Sequence, residues 1–421
     1  MGFSRRDILK SMGLLGASAP FGLALGDGER RLGNELNFIF VVAYGGWDPT
    51  RVFATEFDNP NVDMEREAER LSIGGIDYVG HESRPNVDAF FEAHGDRTLI
   101  LNGVLVPAIA HLNCIRLMLT GTTSTTASDW PAIMAANSPY NYALPHLVLD
   151  GPSFPGDLGS YVSRTGSSGQ LEALLDGSII DWSDLPVTGP SNRAEDVMDR
   201  YLDRRISAVG ANTMVQREAE FAEAFAISHG TASALKGLVG VSDFGGGGSF
   251  ANQIRMAVDS LSIGVSRCAT ISYTGNDGWD SHSGNNATQT RNFDELFEGL
   301  QQLIHRLDTS AGISTPYLSG ETVVVVLSEM GRTPQLNDSD GKDHWPYTSM
   351  MMLGPGITAN RVVGGFNSYY YGDLLDPSTA ELDPNGVSLS ASSIGATLLN
   401  LADIDHEEFM PGVVSIPGLL G

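Results

Sequence analysis

The sequence predicts an α/β protein built on a mainly parallel sheet covered on both faces, and two observations carry that prediction. Continuous apolar runs recur along the chain, the strongest at residues 36–44 and 321–328, and stretches with helical spacing alternate with them. Strands buried on both faces read as unbroken apolar runs, and strand–helix alternation is the pattern of a parallel sheet.

Taken in order, residues 36–44 form the first strand and end in Gly45-Gly46-Trp47-Asp48. Residues 97–102 read as a second strand, and 111–119 as a helix stopped by Gly121. Residues 147–150 read as a short strand, followed by a Gly/Ser/Pro-rich stretch to about 190 and Ala/Glu/Arg-rich helices over 192–238. Gly245-Gly246-Gly247-Gly248 reads as a flexible linker, with no phosphate-loop Lys-Ser/Thr beside it. A helix over 252–263, a strand over 269–273, an amphipathic helix over 292–307 and the strand over 321–328 follow. The expected organisation is one domain over 31–421, with a helical insertion at about 151–250.

Residues 1–30 stand apart from this domain. Ser4-Arg5-Arg6-Asp7-Ile8-Leu9-Lys10 precedes a short run rich in Gly, Ala and Ser, which is too short and too weakly apolar for a membrane span. The layout resembles a twin-arginine (Tat) export signal. It implies the Tat machinery as a partner and a periplasmic or secreted destination, with no stable span in the mature chain. Fifty-one acidic residues against 25 basic ones give a net charge of −26. Such a surface repels phosphate backbones and anionic lipid, so nucleic acid is not an expected partner. Cys114 and Cys268 both sit in apolar contexts, and the sequence leaves open whether they pair.

In open α/β sheets, ligands bind at the carboxyl ends of the strands. Asp48 follows the first strand, Asn276-Asp277-Gly278-Trp279-Asp280-Ser281-His282 the strand near 270, and Ser328-Glu329-Met330 the strongest strand. Asp343-His344-Trp345 comes shortly after. A lone Asp there is usually a helix cap and a lone His usually a core residue, but carboxylates and imidazoles after several strands are what one divalent cation would collect. Asp280 and His282 are two apart and project to the same side of an extended segment. Asp343 and His344 are adjacent and point apart, so one would bind and the other orient it. Mixed carboxylate and imidazole ligands suit zinc or manganese, with calcium or magnesium less suited.

Gly278-Trp279-Asp280-Ser281-His282, Ser328-Glu329-Met330-Gly331-Arg332-Thr333 and Gly341-Lys342-Asp343-His344-Trp345-Pro346 together resemble the exported bacterial family called domain of unknown function 1501. That family looks like a branch of the alkaline phosphatase and sulfatase superfamily. The resemblance implies a three-layer α/β/α, alkaline phosphatase-like sandwich and a metal-dependent hydrolase of phosphate or sulfate esters. By motif order it implies Asp48, Asp280, His282, Glu329 and His344 as metal ligands. The superfamily's nucleophile commonly stands ten residues before the Gly of a Leu-x-Thr-Gly helix end; counting back from Gly121 gives His111, which has no hydroxyl or thiol. Met330 stands where a metal-binding His is usual. The two-metal centre is thus expected to be reduced to one ion, with His111 as ligand or acid/base ahead of a covalent, phosphohistidine-forming role. Arg332 and Lys342 are candidates for holding the anionic part of a small-molecule or glycan ester, or else partners in salt bridges. The competing reading keeps the fold without catalysis, to bind a surface polymer or an exported protein. No dinucleotide fingerprint or CxxC motif supports redox chemistry.

Overall fold

A computed structural model describes residues 35–165, 191–212, 216–236 and 248–421. The expected export signal, residues 245–247 of the glycine linker and most of the Gly/Ser/Pro-rich stretch before 190 lie outside the described residues.

Eight strands form the central sheet: β1 (Asn37–Val42), β2 (Thr98–Leu105), β3 (His146–Val148), β4 (Val162–Arg164), β5 (Cys268–Ser272), β6 (Thr322–Leu327), β7 (Tyr347–Leu353) and β8 (Arg361–Gly364). Their order is β8-β2-β7-β6-β1-β5-β3-β4. All neighbours are parallel except at β7, which runs antiparallel to both β2 and β6.

Every residue of β1 is buried, because both of its faces are covered. Phe38, Phe40 and Val42 pack on one side with α2 (His111–Thr120), α3 (Trp130–Ala136) and α8 (Ala391–Leu401). Ile39 and Val41 pack on the other with α1 (Pro85–His94), α6 (Phe250–Ser262) and α7 (Asn285–Thr309). Alternate residues of a strand face opposite ways, so one apolar run feeds two cores. The result is the three-layer α/β/α architecture. Two further helices, α4 (Asn192–Asn212) and α5 (Gln216–Lys236), pack on each other, and α5 also packs against residues 156–161.

Topology brings the site together. β5, β1 and β6 are adjacent and end level, with Val42 in register with both Ser272 and Leu327. The loops that follow them therefore leave from one edge. β2 ends at the same edge, since its Leu105 pairs with Tyr347 at the start of the antiparallel β7. Residues just after β2 and just before β7 are thus delivered to the same place as the three loops. Gly121 ends α2 with φ 70° and returns its amide to the Leu117 carbonyl, which is the glycine stop expected from sequence.

Cys114 and Cys268 are both free and buried, and burial pushes each thiol up to about 12. Among the described residues no helix is long and apolar enough to cross a membrane.

Candidate metal centre

His111, the first residue of α2, Asp280 and His344 each offer a ligand atom to one point, all within 4.8 Å of one another. Among the described residues they form the one group of three or more such side chains that converge in this way. His111 Nε2 lies 3.3 Å from Asp280 Oδ2, and His344 Nε2 lies 3.1 Å from Asp280 Oδ1. His282 Nε2 approaches the same oxygen at 3.1 Å and His344 Nε2 at 3.1 Å.

Each imidazole is fixed through its other nitrogen. His111 Nδ1 lies 2.7 Å from Glu329 Oε1, His282 Nδ1 lies 2.7 Å from Asp343 Oδ1, and His344 Nδ1 donates to the Ile109 carbonyl at 2.7 Å. A carbonyl or carboxylate oxygen accepts, so the protons sit on Nδ1 and three Nε2 lone pairs aim at one carboxylate. Acceptors facing acceptors repel unless a proton or a cation lies between them. His111 Nε2 is buried with no hydrogen-bond partner. Separations of 3.1–3.3 Å are also what two ligands about 2 Å from a common ion would show. The donor set therefore fits a divalent metal, and Nδ1 anchoring by carboxylate or carbonyl is the usual support of metal-binding imidazoles.

Glu329 belongs to that support. It is fully buried, and its oxygens accept from the Gly45 amide at 2.9 and 3.0 Å, the Gly46 amide at 3.3 Å and the Ser328 hydroxyl at 3.1 Å. Gly45 and Gly46 hold φ values of 127° and 81°, which turn consecutive amides toward one anion. A methyl group on Gly46 would come within 2.9 Å of Met330 Cγ. Met330 itself is buried in the core on the α2 side.

Asp48 sits elsewhere. It is fully buried, 3.0 Å from Lys342 Nζ and 3.3 Å from Arg51, and it accepts from Thr50 Oγ1 at 2.7 Å and Asn285 Nδ2 at 2.8 Å. Burial works to raise its carboxyl, but Lys342 and Arg51 outweigh it and hold it well below the usual range. The sequence had grouped Asp48 with the metal ligands; the structure gives its charge to protein cations instead.

Arg332 and Lys342, expected to reach a substrate anion, are both fully buried. Arg332 donates to the carbonyls of Gly45, Gly46, Trp279 and Lys342 and to Asp280 Oδ1 at 2.7 Å. Lys342 serves Asp48 and Thr50, and burial lowers its ammonium to about 8 against the pull of Asp48. Both cations thus form the salt bridges that were the other reading of them. At Asp280 burial again works upward, and the Arg332 guanidinium, by hydrogen bond and charge, brings the carboxyl down to about 2. The Glu329 hydrogen bond raises the His111 imidazole, with burial opposing it.

Residues 189–415 match the family described as "Protein of unknown function (DUF1501)", more than half of the chain. The chain belongs to this family. The matched stretch of this DUF1501 chain contains Asp280, His282, Glu329 and His344, while Asp48 and His111 precede it. No curated protein matches the chain. Similar solved structures include a protein in the alkaline phosphatase superfamily from Vibrio parahaemolyticus, at 9% identity, 98% of this chain and 78% of that one, and TM-score 0.42. The lipoteichoic acid synthase LtaP from Listeria monocytogenes aligns at 10% identity, 99% and 82% coverage and TM-score 0.41. The C-terminal periplasmic domain of EcEptC from Escherichia coli, in complex with Zn, aligns at 9% identity, 92% and 88% coverage and TM-score 0.39.

The sequence did not reveal the Ile109 carbonyl, a backbone group on a loop, or the pairing of Asp343 with His282 rather than with its neighbour. Asn285 and Gln289, four apart at the start of α7, were also missed. They bind Asp48 through the Asn285 side chain and the Asp48 amide. Their spacing on one helix face was the signal that could have found them.

Proposed function

We propose that the protein is an exported, metal-dependent hydrolase of phosphate or sulfate esters, with one divalent ion, zinc or manganese, held by His111, Asp280 and His344. His282 stands on the same Asp280 oxygen as a further donor. The observation that supports this reading is the orphaned, buried His111 Nε2 aimed at a carboxylate that two other imidazoles also face. A divalent ion would supply Lewis-acid polarisation of the ester. Glu329 keeps the His111 proton on Nδ1, and the Ile109 carbonyl does the same for His344, so both rings present Nε2. His282, about half exposed, is held by Asp343 at the solvent edge of the group.

The absence of a hydroxyl or thiol at His111 and the burial of Arg332 and Lys342 favour a second reading, a non-catalytic member that binds a surface polymer or an exported protein. Elemental analysis of the folded, signal-cleaved protein purified without chelators separates the two. About one equivalent of metal, lost in Asp280→Asn and His344→Ala, together with ester turnover, is the expected result. Folded protein with no metal, or full hydrolysis in both variants, would overturn the hydrolase reading.

A further inference from the structure

The segment that carries His111 is out of character for this chain. Between Arg97 and Arg116 there is no Lys, Arg, Asp or Glu, in a protein with 51 acidic residues. Within that segment Ile109 and Leu112 bracket His111, and each is 59% exposed. Tyr44, 37% exposed, places its ring 5.7 Å from the His111 ring.

The backbone that carries Ile109 and Tyr44 is fixed by the site itself. Ile109 gives its carbonyl to His344, and Tyr44 precedes the glycine whose amide holds Glu329. One exposed leucine on a surface means little. Three large, partly exposed apolar side chains on the residues next to one polar centre offer a face that favours contact with hydrocarbon over water.

The polar side of the mouth points the same way. Arg332 and Lys342 are fully buried and donate to protein groups, while the exposed charged groups at the centre are the carboxylates of Asp280 and Asp343. A ligand carrying several anionic groups would set the extra ones against carboxylate and hydrocarbon. A ligand with a single anionic ester group would set that group on the centre and its hydrocarbon on Ile109, Leu112 and Tyr44.

We infer that the substrate is a monoester of an apolar alcohol, aryl or alkyl, and that Tyr44, Ile109 and Leu112 form the face that receives the alcohol. This rests on the metal-hydrolase reading and narrows its substrate to uncharged, apolar leaving groups over multiply charged saccharides.

The test compares phenylphosphonate with methylphosphonate by calorimetry on the zinc-loaded mature protein, alongside Leu112→Ser and Leu112→Ser/Tyr44→Ser. Phenylphosphonate should bind about tenfold or more tightly than methylphosphonate. The preference should shrink severalfold in the single variant and further in the double one, with zinc content and methylphosphonate affinity unchanged. Equal affinity for the two phosphonates, a preference undiminished in both variants, or tighter binding of a multiply sulfated disaccharide would overturn the apolar face and leave the metal reading standing. Failure of the zinc-loaded protein to bind either phosphonate would overturn the metal-hydrolase reading, and this inference with it.

Discussion

Asp48 and Asp280 both follow central strands at one edge of the sheet, yet they are in opposite situations. Asp48 is sealed in and neutralised by Lys342 and Arg51, with Thr50 and Asn285 satisfying its oxygens. Asp280 is about half exposed; it has one cation, Arg332, and is otherwise ringed by imidazoles whose free nitrogens face it. One carboxylate carries its counter-charge inside the protein, and the other leaves room for a counter-charge from outside. The two are also connected, because Asn285 binds both Asp48 and the Ser281 hydroxyl next to Asp280. The closed pair is the footing on which the open group stands.

The closed Asp48 pair depends most on Lys342. Replacing Lys342 by Met strips Asp48 of its nearest cation and should cost about 3–5 kcal/mol, at the lower end because Arg51 remains. Urea denaturation should show this, with part of the loss recovered in Asp48→Asn/Lys342→Met. A cost under about 1 kcal/mol for the single variant would mean that the pair is not the footing described.

A smaller effect is expected at Glu329. Glu329→Gln leaves the ligand atoms in place but weakens the anchor on His111 Nδ1. Zinc affinity by competition with a chromophoric chelator should fall about 10–100-fold. Unchanged affinity would place Glu329 outside the support of the centre.

The smallest effect sharpens the comparison with a buried imidazole that has no carboxylate partner. His146 on β3 is fully buried, its Nε2 2.8 Å from Thr270 Oγ1, and burial lowers it to about 4. Its unfolded value is about 6.5, so between those values the unfolded chain binds more protons than the folded one. Its contribution to stability is therefore complete above about pH 6.5 and is lost as pH falls toward 4. The full loss is on the order of 3 kcal/mol, of which roughly 2 is gone by pH 5. His146→Gln should flatten that part of the melting temperature's dependence on pH between 7 and 5. An unaltered slope would assign the acid sensitivity to other groups.

The fold was legible where burial writes plainly. β1 and β6 are unbroken apolar runs because both faces are covered, and α7 shows helical periodicity because only one of its sides is buried. β7 was not legible: Met350-Met351-Met352 lacks the β-branched residues that mark strands, and nothing local says that it runs antiparallel. Helix α8 was missed although Ser390 and Ser393 form a capping box at its start, because Ser at the third position is not the usual Glu or Gln.

In the site, Asp280, His282 and His344 could be found from residue type and position near strand ends, and His111 only from the resemblance, by counting back from Gly121; the structure brings the three imidazoles to the Asp280 carboxylate. Which carboxylates would be left open was not readable. Asp48, Glu329, Arg332 and Lys342 look alike as charged residues after strands. Only burial and the backbone groups around them decide that they hold each other and the imidazoles rather than a ligand.

β7 has a consequence for when the site can exist. It lies between β2 and β6, both of which are synthesised before it, and His344 arrives only with the segment that leads into it. Until that late strand slots between its two earlier neighbours, the sheet is split and His344 is not beside Asp280. An ion bound at this edge would be retained only by a chain that has already closed its sheet. Metal retention would then certify completed folding as well as chemistry.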